Sequence, residues 1–241
     1  MKQSYIARGK LYLWMREMEC KIIGSEMASF NPSLLQYYDV FPDLEDMTIA
    51  ISVDPVPPPS ETALSKGLKY NDWEVWSVVG KWIDRATGKR KFFLLEQKGM
   101  KGHDPEWSVN TFFELLDRWH PTRLRVESIG YQRTLKWLLE RAMQQRRRYI
   151  PVDEPATDRR KKLYRIIDVI GDKASRKELY VHRSQEKFIE QYISAPALDD
   201  DDFIESAAMA IECADQMDVL EGEYTNFDES IPDLEWEESC P

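Results

Sequence analysis

The sequence predicts an α/β domain, a mixed sheet of five or more strands with helices on both faces. Three observations point there. Short apolar, β-branched runs come first, at 48–53, 73–83 and 91–96, with the spacing of strands. The pattern turns amphipathic at helical spacing between Pro105 and Trp119. From there strands and helices alternate, as in a mixed sheet covered on both sides.

Each element has a local reason. Thr48–Val53 is a β-branched run that reads as a buried strand. It ends at Asp54-Pro55, and Pro57-Pro58-Pro59 stiffens the loop beyond it. Trp73–Ile83 and Lys91–Glu96 are the next strands, joined at Asp84–Gly88, and complete an antiparallel meander. In the helix over 105–119, Trp107, Phe112, Phe113, Leu115, Leu116 and Trp119 are the apolar positions, and Pro121 ends it. Arg123–Glu127 is a fourth strand, Tyr131–Arg148 a helix and Tyr149–Val152 a brief fifth strand. A helix over 158–170, a short strand at Leu179–His182, a helix from the Ser184 cap to Tyr192 and a long last helix at Asp202–Val219 follow. Residues 1–47 read as an irregular lead-in, 48–220 as the domain, and 221–241 as an acidic, proline-interrupted, flexible tail. The order β-β-β-α-β-α-β-α-α is the ribonuclease H arrangement, of the RuvC and integrase type.

The charge balance needs dividing. With 33 Lys+Arg against 43 Asp+Glu in 241 residues, the net charge of −10 speaks against a nucleic-acid partner. However, residues 199–241 carry 16 acids and no Lys or Arg, so the first 198 residues are at +6. Residues 141–165 alone hold nine basic side chains against three acids. They are Arg141, Arg146, Arg147, Arg148, Arg159, Arg160, Lys161, Lys162 and Arg165. Such a surface suits a phosphate backbone, without base-specific reading, although a solvated charged face would look the same. Lys162 or Arg165 could steady developing phosphate charge, and Lys66 and Lys69 are weaker contacts.

Several chemistries are excluded. No run of about 18 uncharged apolar residues exists, so no membrane span is expected, and the N-terminus has no signal-peptide core. Cys20, Cys213 and Cys240 lack CxxC spacing, the three histidines form no HExxH, and neither a Walker A loop nor GxSxG occurs. Without a phosphate loop the chain is not by itself an ATPase. The remaining chemistry belongs to carboxylates. Asp54 ends the first strand, Glu127 ends the fourth, and Asp199–Asp202 with Glu205 open the last helix. If strands one and four are parallel neighbours, these share a rim and could hold two hard cations, Mg²⁺ or Mn²⁺. Turn formation at Asp-Pro and helix capping also explain single members of the set. They do not explain four consecutive aspartates, which repel one another.

Three segments carry a resemblance: Ile51-Ser52-Val53-Asp54-Pro55, Val126-Glu127-Ser128-Ile129-Gly130, and Asp201-Asp202-Phe203-Ile204-Glu205-Ser206-Ala207. Together they resemble the nuclease motifs of the large terminase subunit of tailed bacteriophages. The resemblance covers about residues 45–215 and includes Lys162-x-x-Arg165 as a basic motif. Residues 11–40 resemble the linker from the family's ATPase domain, with Trp14 and Glu17 in a Trp-x-x-Glu pattern.

It implies a two-metal endonuclease acting on double-stranded viral DNA during packaging, with Asp54, Glu127 and Asp202 as catalytic metal ligands. Asp201, Glu205 and Asp72 are further ligand candidates, with the register inside the aspartate run open. Arg146, Arg147, Arg148, Arg159, Arg160, Lys161, Lys162 and Arg165 would contact DNA. Implied partners are the ATPase domain, the portal and the small terminase subunit, with no membrane, for a monomer in the host cytoplasm. Glu205-Ser206 stands where the family usually has Asp-Ala. Two alternatives stay open: another nuclease of the same fold, such as a junction resolvase, or a DNA- or portal-docking module with an incomplete metal site.

Overall fold

The computed structural model describes residues 30–40, 43–58, 72–84, 87–126, 132–153, 166–195 and 200–221. Its strands are β1 (Gln36–Tyr38), β2 (Met47–Asp54), β3 (Glu74–Ile83), β4 (Arg90–Met100), β5 (Arg123–Val126), β6 (Val152–Asp153) and β7 (Leu179–His182). The helices are α1 (Pro105–Trp119), α2 (Gln132–Arg146), α3 (Asp172–Ser175), α4 (Glu186–Ser194) and α5 (Asp202–Glu221).

The seven strands form one sheet in the order β1-β7-β4-β3-β2-β5-β6. β2, β3 and β4 make the expected antiparallel meander. β5 lies parallel to β2, β6 to β5, β7 to β4 and β1 to β7. Only β3 therefore runs against the rest. The sheet has an exit rim, where β2, β4 and β5 end, and an entry rim, where they begin.

Burial on both sides explains why β2 reads as an unbroken apolar run rather than an alternating one. Ile49, Ile51 and Val53 pack into a core with Phe112, Leu115, Leu116 and Trp119 of α1 and Leu135 and Leu139 of α2. On the opposite face Ala50 joins a core built from Ala207, Ala208, Ile211 and Ala214 of α5 and Phe188 and Tyr192 of α4. The alanines let α5 approach the sheet closely. α1 starts where the sequence places it. Asp104 caps it by accepting from the Trp107 N–H at 2.8 Å, and Pro105 occupies the first turn.

The structure differs from the sequence reading in three places. Within the irregular lead-in, Gln36–Tyr38 form an edge strand, and Phe30 and Leu35 are core residues. This strand is held by β7 and by the Tyr38 hydroxyl, which donates to Leu94 O at 2.8 Å, not by any local pattern. The brief fifth strand lies at Val152–Asp153, later than expected. The helix expected over 158–170 is described only from Ile166, with a π-helical turn at Ile167–Gly171 before α3. Trp137 is exposed on α2, whereas Trp76 and Trp119 are buried. Cys213 is a buried free thiol, pushed by burial up to about 11. Among the described residues no helix is long and apolar enough to cross a membrane.

Candidate active site

Asp54 is the last residue of β2 and pairs in register with Val75 of β3. Strand side chains alternate, so Asp54 shares a face with Ser52, two residues earlier. That face meets α5. Ser52 Oγ donates to Ser206 O at 2.6 Å, and Ser206 Oγ donates to Val75 O at 2.9 Å. These buried hydroxyls fix the first turn of α5 over the end of β2. Ser206 thus binds helix to sheet.

A second set of contacts fixes the same turn from the β4 side. Gln97 Nε2 donates to both Ser77 Oγ and Phe203 O at 2.8 Å. The Phe203 ring meets Trp73 edge-on at 5.5 Å and lies over Gly99. A Cβ on Gly99 would come within 2.6 Å of the Phe203 ring and 3.2 Å of Trp73. Glycine is required there by close approach.

Asp202 opens α5, and its Oδ2 accepts from the Trp73 backbone N–H at 3.2 Å. Burial pushes its carboxyl up, and a hydrogen bond with Asp200 adds to this. The Trp73 N–H opposes the rise, while the charges of Asp54 and Asp200 reinforce it, leaving the carboxyl at about 7. Asp54 and Asp200 are therefore close enough to disfavour the ionisation of Asp202. Such a cluster of hard oxygen donors with surplus negative charge fits a divalent cation. Among the described residues no group of three His, Cys, Asp or Glu side chains is arranged as a metal cage.

The other expected ligands fall as follows. Glu205 is buried on the first turn of α5, 5% exposed. Asp201 is half-buried, and its carbonyl accepts the Glu205 N–H at 2.9 Å. Asp72 is exposed, and it is the next residue, Trp73, that reaches Asp202. Glu127 lies outside the described residues; Val126 before it pairs with Val53, beside Asp54. The parallel β2–β5 pairing on which the carboxylate reading depended is present.

The expected DNA contacts divide. Arg159, Arg160, Lys161, Lys162 and Arg165 lie outside the described residues. Arg146, Arg147 and Arg148 are not brought to the carboxylates. β5 and β6 are parallel, so α2 between them runs back to the entry rim, and these arginines stand at its end. There Arg146 lies over the Phe113 ring at 4.0 Å and Arg148 pairs with Asp117, both on α1. They clamp α2 to α1. Arg147 is exposed, with a left-handed φ of 51°.

Sequence reading missed the Trp73 N–H, the Phe203–Gly99 contact and the role of Asp200 at Asp202. Only Gly99, a glycine late in a strand pattern, left a signal. It also missed a buried pair on the other face. Glu74 accepts from Trp76 Nε1 at 2.9 Å and lies 3.3 Å from His103 Nε2. Burial lowers the His103 imidazole, but Glu74 and Asp104 outweigh it and hold it above its usual value. Glu74 precedes Val75 and so faces α1, away from Asp54.

No protein-family model matches this chain, and no curated protein matches it by sequence. Solved structures do. The large terminase nuclease from thermophilic phage G20c is similar with a TM-score of 0.50 at 12% identity, over 79% of this chain and 98% of that one. The same nuclease with bound magnesium gives 0.51 at 12%, over 80% and 98%. With bound cobalt it gives 0.53 at 13%, over 80% and 98%. The chain has the fold of a large terminase nuclease. It is a ribonuclease H-like fold, as the element order predicted. Within the terminase-nuclease fold, Asp54 and Asp202 occupy the exit rim of the central strand and the start of the last helix, the positions at which carboxylates from distant parts of the chain can meet.

Proposed function

We propose that this chain is a divalent-metal-dependent endonuclease cutting double-stranded DNA with little sequence preference, the nuclease part of a phage large terminase. The observation that carries the reading is the meeting of Asp54 and Asp202 at the exit rim, with Asp202 held up to about 7 by burial and its acidic neighbours. The bound magnesium and cobalt of the G20c nuclease support a divalent cation here.

Asp54 and Asp202 would hold the cations, Mg²⁺ or Mn²⁺, with Glu127, Asp201, Glu205 and Asp72 as further ligand candidates. Two such ions supply a nucleophilic water and neutralise charge on the leaving oxygen of a phosphodiester. The chain's own part is positioning. The Trp73 N–H holds the Asp202 carboxylate in place through Oδ2. Ser52 and Ser206 keep α5 from sliding along β2, which sets the spacing of the two aspartates. Arg159, Arg160, Lys161, Lys162 and Arg165 keep their sequence-based assignment to the DNA backbone. Residues 1–47 would join an ATPase domain, and the portal and small terminase subunit would be partners in packaging.

Plasmid incubated with the protein and Mn²⁺ should become nicked and linear, and chelator should prevent this. Asp54→Ala and Asp202→Asn should each lower the rate at least about a hundredfold. Intact plasmid under all conditions would sink the nuclease reading and favour a docking module.

A further inference from the structure

We infer that the outer face of α2 is a second nucleic-acid site, a platform on which Trp137 and Tyr149 stack unpaired bases of a single DNA strand while Arg141 and Arg147 take its phosphates. The inference rests on the nuclease reading only for the choice of DNA as the strand.

Helical spacing builds the face. Leu135, Leu139 and Met143 are the buried side of α2, packed with the strands and α1. Trp137 and Arg141 each stand two residues from a pair of these, about 200° around the helix, and so point away from the sheet. Gln144 continues the stripe one turn on. Trp137 is 54% exposed and Tyr149 is 66% exposed. The end of α2 brings Tyr149 back to the stripe. There the Arg147 N–H donates to Gln144 O at 3.2 Å and the Arg148 N–H to Met143 O at 3.0 Å, with Arg147 in its left-handed conformation. Trp137, Glu140, Arg141, Gln144 and Tyr149 line one open cavity of about 510 Å³.

The charges of this face suit an anion. The Arg141 guanidinium lies 5.4 Å from the Trp137 ring centroid, a cation–π distance. Arg147 is exposed beside it. Among the described residues neither arginine is paired with a carboxylate. Glu140, the acid in the cavity, contacts Lys136 at 3.4 Å.

Exposed rings interleaved with guanidiniums are what a single strand needs, since every base has a face that stacks and every linkage carries a charge. A duplex hides those faces. A protein partner would need apolar surface around the rings. The other exposed large hydrophobic residues among those described, Val40, Ile83 and Met100, lie on other parts of the fold. α2 packs on the opposite face of the sheet from α5. A strand held there leaves the exit rim open to a duplex.

The test is equilibrium binding of a fluorescent thymidine strand of about fifteen nucleotides to the whole chain, in chelator so that nothing is cut, across a salt series. Melting temperature reports folding, and plasmid cutting with Mn²⁺ is measured alongside. Trp137→Ala and Tyr149→Ala should each bind about tenfold more weakly, one stacked base apiece, and Trp137→Phe should stay within about threefold of the unmodified protein. Arg141→Gln and Arg147→Gly should each make the salt slope shallower by about 0.7, and glycine keeps the left-handed turn. An abasic strand of equal length should bind the unmodified protein about as weakly as thymidine binds the Trp137→Ala/Tyr149→Ala pair. Binding of a duplex should change by less than about twofold in Trp137→Ala. If the unmodified protein does not bind the strand, or the alanine variants bind it unchanged, the inference falls, and plasmid cutting decides the nuclease reading separately. If Trp137→Ala weakens capture of a synthetic peptide of residues 222–241, acidic and aromatic, but not of the strand, the face docks protein and the inference falls. Strand binding that the alanine variants weaken, in a protein that leaves plasmid intact, keeps the inference and sinks the nuclease reading.

Discussion

The two ends of α5 hold aspartates in opposite conditions. At the start, Asp202 is buried beside Asp54 and Asp200, and its carboxyl is pushed up to about 7. Toward the far end, burial also pushes Asp215 up. Ion pairs with Lys173 at 3.0 Å and Arg90 at 2.6 Å outweigh this and leave its carboxyl below the ordinary range. Nearby, Arg125, 1% exposed, bonds Asp153 through Nε at 3.0 Å and also contacts Gln216 and Glu212. One end of the helix matches its acids with cations and is structural. The other crowds its acids together, and the carboxyl of Asp202 is raised in consequence.

The largest expected effect tests the matched end. Arg125→Met should cost about 3 kcal/mol, because Asp153, Gln216 and Glu212 lose a shared buried donor. Chemical denaturation would measure it, and plasmid cutting at a permissive temperature should survive. Lost cutting in a folded Arg125→Met protein would break the division between the two ends.

A smaller effect tests the crowded end. A carboxyl raised in the folded state stabilises it fully below the unfolded value near 3.8, and that contribution is lost as pH rises through about 7. With chelator present, Asp202→Asn should therefore raise stability at pH 8 by about 1–2 kcal/mol, discounted for partial exposure, with no gain at pH 4. Thermal melting at the two pH values measures this. A destabilised Asp202→Asn at pH 8 would contradict the crowding.

The smallest effect has the reverse sign. A lowered carboxyl such as Asp215 contributes above its unfolded value, and the contribution disappears as pH falls through its folded value. Asp215→Asn should cost about 1 kcal/mol at pH 7 and nothing once the carboxyl is protonated in both states. Melting curves of the two variants should thus move in opposite directions near neutrality.

Much of the central sheet could be read from local pattern. β2, β3, β4, β5 and α1 carry their own periods and punctuation, and Asp54-Pro55 marked a strand end correctly. β1 could not be read this way. Three residues are too few for a period, and their order comes from β7. The place of Arg146–Arg148 was also hidden, since a charge count carries no direction. Only the parallel β5–β6 pairing shows that α2 ends at the entry rim. Asp202 was legible as part of an aspartate run. Its selection over its neighbours depends on a backbone N–H from Trp73, which no side-chain pattern records.

The pairing of β1 with β7 also bears on the order of assembly. The β2–β4 meander joins strands that are neighbours along the chain, so its loop-closure cost is small. Gln36, by contrast, pairs with Tyr180, and β7 itself docks on β4. β1, the earliest of the seven strands in the sequence, can therefore be seated only once β7 is in place to receive it. Until then Phe30, Leu35 and Tyr38 have no core to enter. This leaves a newly made chain with an exposed apolar segment next to an open sheet edge, a condition in which strands of separate molecules can pair by mistake.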